Sequence, residues 1–235
     1  MGPYSHIILA SELETYIKPD NPQEYYWGAI APDIRYLVAG MSRSQTHISP
    51  EEMLGYFGRY PHLKSFLHGY LAHCLSDKLN LPKIIQRKFP LYWQNNELSS
   101  QDCTIILEFF NILRVKTVRK SLSGTYNIAL NAMGISEEQA TKFAQEINQY
   151  ITSLSFASLL TLYQNLGSAS NGRIDKYRIA VQQVQRKWFQ KKLVLIGLHV
   201  GKINREITSS VKSVFPNDAV DQGKIRPRYG RRDHR

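Results

Sequence analysis

Apolar residues recur at spacings near 3.6 along most of this chain, and no run of regularly spaced alternating strands appears. Helix-capping signals open several of the apolar stretches. Together these features predict an all-α fold, and each element follows in turn. Tyr4 to Ile17 places Ile8, Leu9, Leu13 and Ile17 on one side of a first helix, which stops before the turn cluster Lys18-Pro19-Asp20-Asn21-Pro22. Asp33 follows Pro32 in a loop or a helix start, and a loop rich in Ser, Arg and Thr carries His47. Ser49-Pro50-Glu51-Glu52 supplies a cap, a proline at the first helical position and acids in the first turn, so a helix begins there and runs to about Tyr60. Pro61 to about Leu79 forms the next helix and holds His62, His68, His73 and Asp77. Further helices are expected over Ser100 to Lys120, Ser136 to Leu154, Phe156 to Leu166, Ile174 to Gln190 and Leu193 to Val214, the second opening on the capping box Ser136-Glu137-Glu138-Gln139.

A chain of 235 residues supports one full hydrophobic core and is short for two. The expected organisation is a single-domain multi-helix bundle over residues 1–216, followed by a flexible basic tail over 217–235, where the apolar periodicity has ended. The two cysteines, Cys74 and Cys103, sit inside apolar helical patterns and read as small buried residues. With no basic segment followed by an apolar core and a cleavage site at the N-terminus, a reducing, cytoplasmic location is the expectation. The longest near-uniform apolar run, Leu193 to Val200, falls far below the roughly 20 residues that span a bilayer.

The net charge of +11 is unevenly placed. Lys/Arg and Asp/Glu balance over residues 1–170, whereas residues 171–235 hold sixteen basic against five acidic side chains. A polyanionic partner would be met on that last segment: an acidic membrane surface, nucleic acid or an acidic protein. Trp188 and Phe189, set among Arg186, Lys187, Lys191 and Lys192, would also suit a membrane interface, although a solvated helix face accounts for the same charges.

Five residues in the first third, His6, Asp33, His47, His73 and Asp77, are types that bind divalent metal. His73 and Asp77 are four apart, hence one turn apart on one helix face, where they can share an ion; the alternative for the pair is a local His–Asp hydrogen bond. Asp33 also suits a helix N-cap, a role compatible with ligation. His47 stands in a polar loop with no structural reason to be histidine. Arg43 reads first as a surface charge and second as a partner for a substrate phosphate. His68 lies about 140° around the helix from His73 and is expected to pack rather than ligate, as is His62. His199 and Glu206, seven apart, share a face of the last helix and read as ordinary hydrogen-bonded or solvated residues before they read as ligands.

The order Gly28-Ala29-Ile30-Ala31-Pro32-Asp33, then Thr46-His47, then Gly69-Tyr70-Leu71-Ala72-His73-Cys74-Leu75-Ser76-Asp77, preceded by His6 in a helix near the N-terminus, resembles the zinc-dependent phospholipase C family over about residues 5–77. The resemblance implies an all-helical fold with zinc at the base of a cleft, where the metal holds a phosphodiester and activates the attacking water. It implies His47, His73 and Asp77 as ligands, Asp77 as a group able to bridge two ions, and His6 as a ligand to a neighbouring ion. Asp33 would be a ligand or the catalytic acceptor of the water's proton. The chain also departs from the family, which carries a histidine soon after the His-x3-Asp pair and a further His-x3-Glu pair downstream. After Asp77 the next histidine here is His199, so one or two zinc ions are expected rather than three.

Three functions follow as expectations. The first is a hydrolase, a zinc-dependent phosphoesterase acting on a phospholipid-like phosphodiester. The second is a noncatalytic interaction protein that keeps the helical shell and docks an acidic partner through its basic C-terminus. The third is a zinc-dependent single-strand nuclease, since such enzymes share the helical architecture and a +11 chain can retain nucleic acid.

Overall fold

The computed structural model describes residues 1–88, 100–114, 122, 126–166, 175 and 187–215, and among these residues eleven α-helices and two 3-10 turns have described bounds. In chain order these are α1 (Pro3–Ile17), α2 (Pro22–Gly28), a 3-10 turn (Ala31–Tyr36), α3 (Arg43–Thr46), α4 (Pro50–Arg59), a second 3-10 turn (Pro61–Leu63) and α5 (Lys64–Asp77). Then come α6 (Leu81–Lys88), α7 (Ser100–Arg114), α8 (Ile128–Ala132), α9 (Glu137–Ser153), α10 (Phe156–Asn165) and α11 (Lys187–Val214). No strand occurs among the described residues, so the all-α expectation holds.

The centre of the molecule is α5, buried on every side from Ser65 to Ser76. A helix apolar or neutral all round cannot face water and must be enclosed by others. Here α1, α2, α4 and α11 surround it. The closest approach is to α2, and glycine makes it possible at both crossing points. A Cβ on Gly69 would overlap the Tyr25 carbonyl, and one on Gly28 would overlap the carbonyl of Phe66. The two backbones therefore touch directly, which carries the chain after Gly28 and its Asp33 across the end of α5.

The start of α1 is fixed by a buried carboxylate from α7. Glu108 accepts hydrogen bonds from the Tyr4 and Ser5 amides at 2.8 Å each, from the Ser5 hydroxyl at 2.6 Å and from the Tyr150 hydroxyl at 2.7 Å. Unsatisfied amides and the positive end of the helix dipole make a helix N-terminus a natural seat for a carboxylate. The network continues from the Ser5 hydroxyl to Asn111 and Asn204, each link 2.9 Å. Gly2 completes the seat, because a Cβ there would lie 2.6 Å from Glu108 Oε2.

The expected capping box at Ser136 forms, and the expected cap at Ser49 proves to be a capping box too, the two serine side chains accepting from the amides of Gln139 and Glu52 at 3.2 Å. The helix read as continuous from Pro61 begins instead with a 3-10 turn and ends at Asp77. The helix read from Ser100 to Lys120 is described as far as Arg114, and the one read from Leu193 begins earlier, at Lys187. The stretch before His47, read as a loop, forms the one-turn helix α3 on a Ser42 capping box, and helices α2, α6 and α8 were not anticipated either. These last three are short, and each opens on an asparagine: Asn21, Asn80 and Asn127 accept from the amides of Gln23 and Glu24, of Lys83, and of Ala129 and Leu130. Asn21-Pro22 is a cap followed by proline at the first helical position, so the cluster that ends α1 also starts α2.

The expected helix over Ile174 to Gln190 falls mostly outside the described residues, as does the basic tail over 217–235. Among the described residues no helix is long and apolar enough to cross a membrane. Cys74 and Cys103 are free and buried.

Candidate metal centre

Four separate elements deliver the five residues to one place. His6 lies one turn into α1, Asp33 in the first 3-10 turn, His47 at the C-terminal end of α3, and His73 and Asp77 on the last two turns of α5. Asp33 is within the 3-10 turn rather than at a helix N-cap.

The hydrogen bonds around the histidines set their tautomers. His73 donates from Nδ1 to the Ala29 carbonyl at 2.8 Å, which leaves a lone pair on Nε2. The Ser76 hydroxyl donates to the His73 carbonyl at 2.8 Å, so its oxygen accepts from His6 Nδ1 at 3.3 Å. His6 Nε2 therefore also carries a lone pair, and it is buried without a hydrogen-bond partner. The two imidazoles stack with centroids 3.7 Å apart and planes 16° from parallel. His47 Nε2 stands 3.1 Å from Asp77 Oδ2 and 3.2 Å from His73 Nε2, with Thr46 Oγ1 3.1 Å from its Nδ1. Binding an ion at His47 Nε2 requires the ring proton on Nδ1, and Thr46 Oγ1 is placed to accept it there.

The alternative for the pair, a local hydrogen bond between His73 and Asp77, does not form, since the nearest atoms are 3.8 Å apart. Instead Asp77 is shared. Its Oδ1 meets the Met1 amino group at 2.5 Å and lies 3.4 Å from His6 Nε2, while its Oδ2 accepts from Arg43 Nη2 at 2.8 Å. Arg43, read first as a surface charge, thus reaches into the cluster while its side chain stays 48% exposed. Asp33 Oδ1 completes the group at 3.9 Å from His73 Nε2 and 4.0 Å from Arg35 Nη2.

Burial dominates the electrostatics. It lowers the pKa of His6 to about 4, aided by the Met1 ammonium, and lowers His73 well below the usual imidazole range, aided by His6. His47 is lowered for the same first reason. Burial raises Asp33 to about 7, with the neighbouring Asp77 charge adding to it. Asp77 behaves oppositely: burial opposes its ionisation, but the Met1 ammonium and the histidines around it outweigh that and hold it well below the carboxylate range. The result is three neutral imidazoles facing one firmly ionised carboxylate.

Such a set fits a divalent cation. A tetrahedral ion with bonds of about 2.0 to 2.2 Å needs donor atoms roughly 3.3 to 3.5 Å apart. The separations among His47 Nε2, His73 Nε2 and Asp77 Oδ2 are 3.1, 3.2 and 3.8 Å. A second grouping, His6, Asp33 and His73, also keeps its donor atoms within 4.8 Å. The groups share His73, whose one free lone pair serves a single ion, so they are not two independent sites. The Nε2 of His6, buried without a hydrogen-bond partner, offers its lone pair to a cation in this cluster.

The other histidines stay apart. His62 is exposed, and His68 packs between the rings of Phe57 at 5.0 Å and Phe215 at 6.0 Å. Glu206 is ion-paired with Lys88 at 2.9 Å and Arg87 at 3.5 Å, and it joins neither group of ligand types with His199. Arg35, Ser76 and the Ala29 carbonyl escaped the sequence reading. The repeated adjacency of these residues to Asp33, Asp77 and Gly28 was the only available signal. No protein-family model matches the chain, and neither a curated protein nor a solved structure matches it.

Proposed function

We propose that the protein is a zinc-dependent hydrolase of phosphodiesters of the phospholipid type. The observation that carries this reading is the convergence of His47, His73 and Asp77, with donor atoms 3.1 to 3.8 Å apart, around a face where two neutral imidazoles already present lone pairs. These three residues would hold one ion. His6, with Asp77 shared, would serve a neighbouring ion. Zinc, when bound, supplies Lewis-acid polarisation of the phosphoryl group and a water that is nucleophilic near neutral pH.

The chain's own residues do the rest. The Ala29 carbonyl and the Ser76 hydroxyl keep the lone pairs of His73 and His6 aimed inward. Asp33 accepts the proton of the attacking water. Its burial makes it a stronger base than an exposed aspartate, and a neighbouring cation favours its ionised form. The side chains of His6, His47, His73, Asp33 and Asp77 are each at most 7% exposed, so bulk water reaches the cluster chiefly beside Arg43.

Metal analysis of purified protein, paired with hydrolysis of p-nitrophenyl phosphocholine and bis(p-nitrophenyl) phosphate, tests the reading. The expected result is stoichiometric zinc and chelator-sensitive hydrolysis. Protein that takes up no zinc and stays inactive after its addition would sink it. One observation favours a second reading, a noncatalytic helical protein: Arg43 and the Met1 amino group already neutralise Asp77 with no ion. That reading expects capture of an acidic partner to depend on residues 171–235 and to persist in a His73→Ala, Asp77→Ala double variant.

A further inference from the structure

Arg35, beside the cluster, is a buried cation whose nearest carboxylate among the described residues is held at a distance. Arg35 is buried to 8% exposure, and a guanidinium remains charged at any pH a protein tolerates. Its nearest carboxylate oxygen, Asp33 Oδ1, is 4.0 Å from Nη2, beyond hydrogen-bond reach. Its Nε is buried with no hydrogen-bond partner. The Nη2 group donates to the neighbouring Tyr36 hydroxyl, and the guanidinium carbon rests 4.0 Å above the Tyr36 ring. A buried guanidinium with a long ion pair and an unsatisfied Nε is costly, and arginine in native proteins is normally paired more closely when so enclosed. Arg43 stands on the exposed side of the same cluster, bonded to Asp77 in a contact that water can reach.

We infer that Arg35 and Arg43 form an oxyanion subsite beside the metal cluster, which takes the nonbridging oxygens of the substrate phosphate and selects anionic phosphate esters over those with a cationic head group. The inference rests on the proposed hydrolase reading and narrows its substrate. Guanidinium groups suit phosphate because their planar N–H pairs match its oxygens. Arg35 offers the unsatisfied donor from the interior, and Arg43 can exchange one Asp77 oxygen for a phosphate oxygen at the mouth. Two fixed positive charges beside a divalent ion repel a quaternary ammonium, whereas they attract the anionic nonbridging oxygens of a phosphate ester and any further negative charge beside it.

The test is the binding of inorganic phosphate, followed by calorimetry, to wild type, Arg35→Gln, Arg35→Lys and Arg43→Gln, with zinc content measured on each. Arg35→Gln should weaken phosphate binding at least tenfold with zinc content unchanged. Arg43→Gln should weaken it severalfold, and Arg35→Lys should fall between. In competition, glycerol phosphate should displace phosphate at lower concentration than phosphocholine does. Wild-type affinity in Arg35→Gln, or equal displacement by the two esters, overturns the inference. If Arg35→Gln fails to fold, unchanged phosphate affinity in both Arg35→Lys and Arg43→Gln overturns it. Absence of zinc from wild type is the failure of the hydrolase reading alone, because the same titrations on metal-free protein still report whether the arginines bind phosphate.

Discussion

At the scale of the residue, the pH dependence of stability follows from which form of each buried group the fold prefers. His6, lowered to about 4, stays neutral while the unfolded chain takes up a proton below about 6.5, so its contribution is lost as pH falls between those values, on the order of 3 kcal/mol in all. Asp33 has the opposite sign. Raised to about 7, it holds a proton that the unfolded chain has released above 3.8, so its contribution is lost as pH rises through that window. Between about 4 and 6.5 these two slopes, one proton each, cancel. His73 and His47, both lowered by burial, leave a net loss on acidification, and Asp77 adds to it below its ordinary range. Melting temperatures of the metal-free protein should therefore fall from pH 6.5 toward 4.5, and more steeply in Asp33→Asn, by about 1.4 kcal/mol per pH unit, because the opposing slope is gone. A flat profile in both proteins would contradict the assignment. A second prediction isolates the His6 tautomer. Ser76→Ala removes the oxygen that accepts from His6 Nδ1, so zinc affinity in a chelator competition should drop roughly ten- to hundredfold. No change would place His6 outside the ligand set.

The elements place these residues through two close contacts that tolerate little change. Gly69→Ala would drive a methyl group into the Tyr25 carbonyl, an obstruction that no side-chain rotation relieves, and should cost about 3 kcal/mol or more in urea unfolding. Gly55→Ala, on α4 with open space around it, is the control and should be neutral or slightly stabilising. Most of this architecture was legible in the sequence because the long helices announce themselves by periodicity and by Ser-Pro-Glu-Glu or Ser-Glu-Glu-Gln openings. The short helices were not, since α2 and α8 hold too few residues to show a period and their only signal is an asparagine cap that also reads as a turn. The site was more legible than its supports. His-x3-Asp is a helix-face pattern visible in the chain itself. Arg35 looked like any charged residue, and its significance lies in a buried Nε with no hydrogen-bond partner beside a long contact to Asp33, which only the packing of Tyr36 and Asp33 reveals. Likewise Glu108 stands 31 residues beyond Asp77 in sequence, yet it fixes the first turn of α1 and hence the position of His6.

Across the whole molecule, the cluster ties α1, the first 3-10 turn, the end of α3 and the end of α5 together, whereas α9 and α10 pack mainly on each other. An ion held by residues from such distant parts of the chain binds the folded state and not the unfolded one, so it stabilises by mass action. At a free concentration about a thousand times the dissociation constant the gain is about 4 kcal/mol. For a chain of this size that corresponds to a rise in melting temperature of roughly 8 to 16 °C. The rise should be reversed by chelator and absent in a His47→Ala, Asp77→Asn double variant. Hydrogen exchange should locate it, with protection gained in α1 and α5 and little change in α9 and α10. An equal rise in the double variant would mean that zinc binds elsewhere on the protein. A rise confined to wild type but spread evenly over all helices would mean that the molecule unfolds as one unit, with the ion acting on the whole rather than on the half it touches.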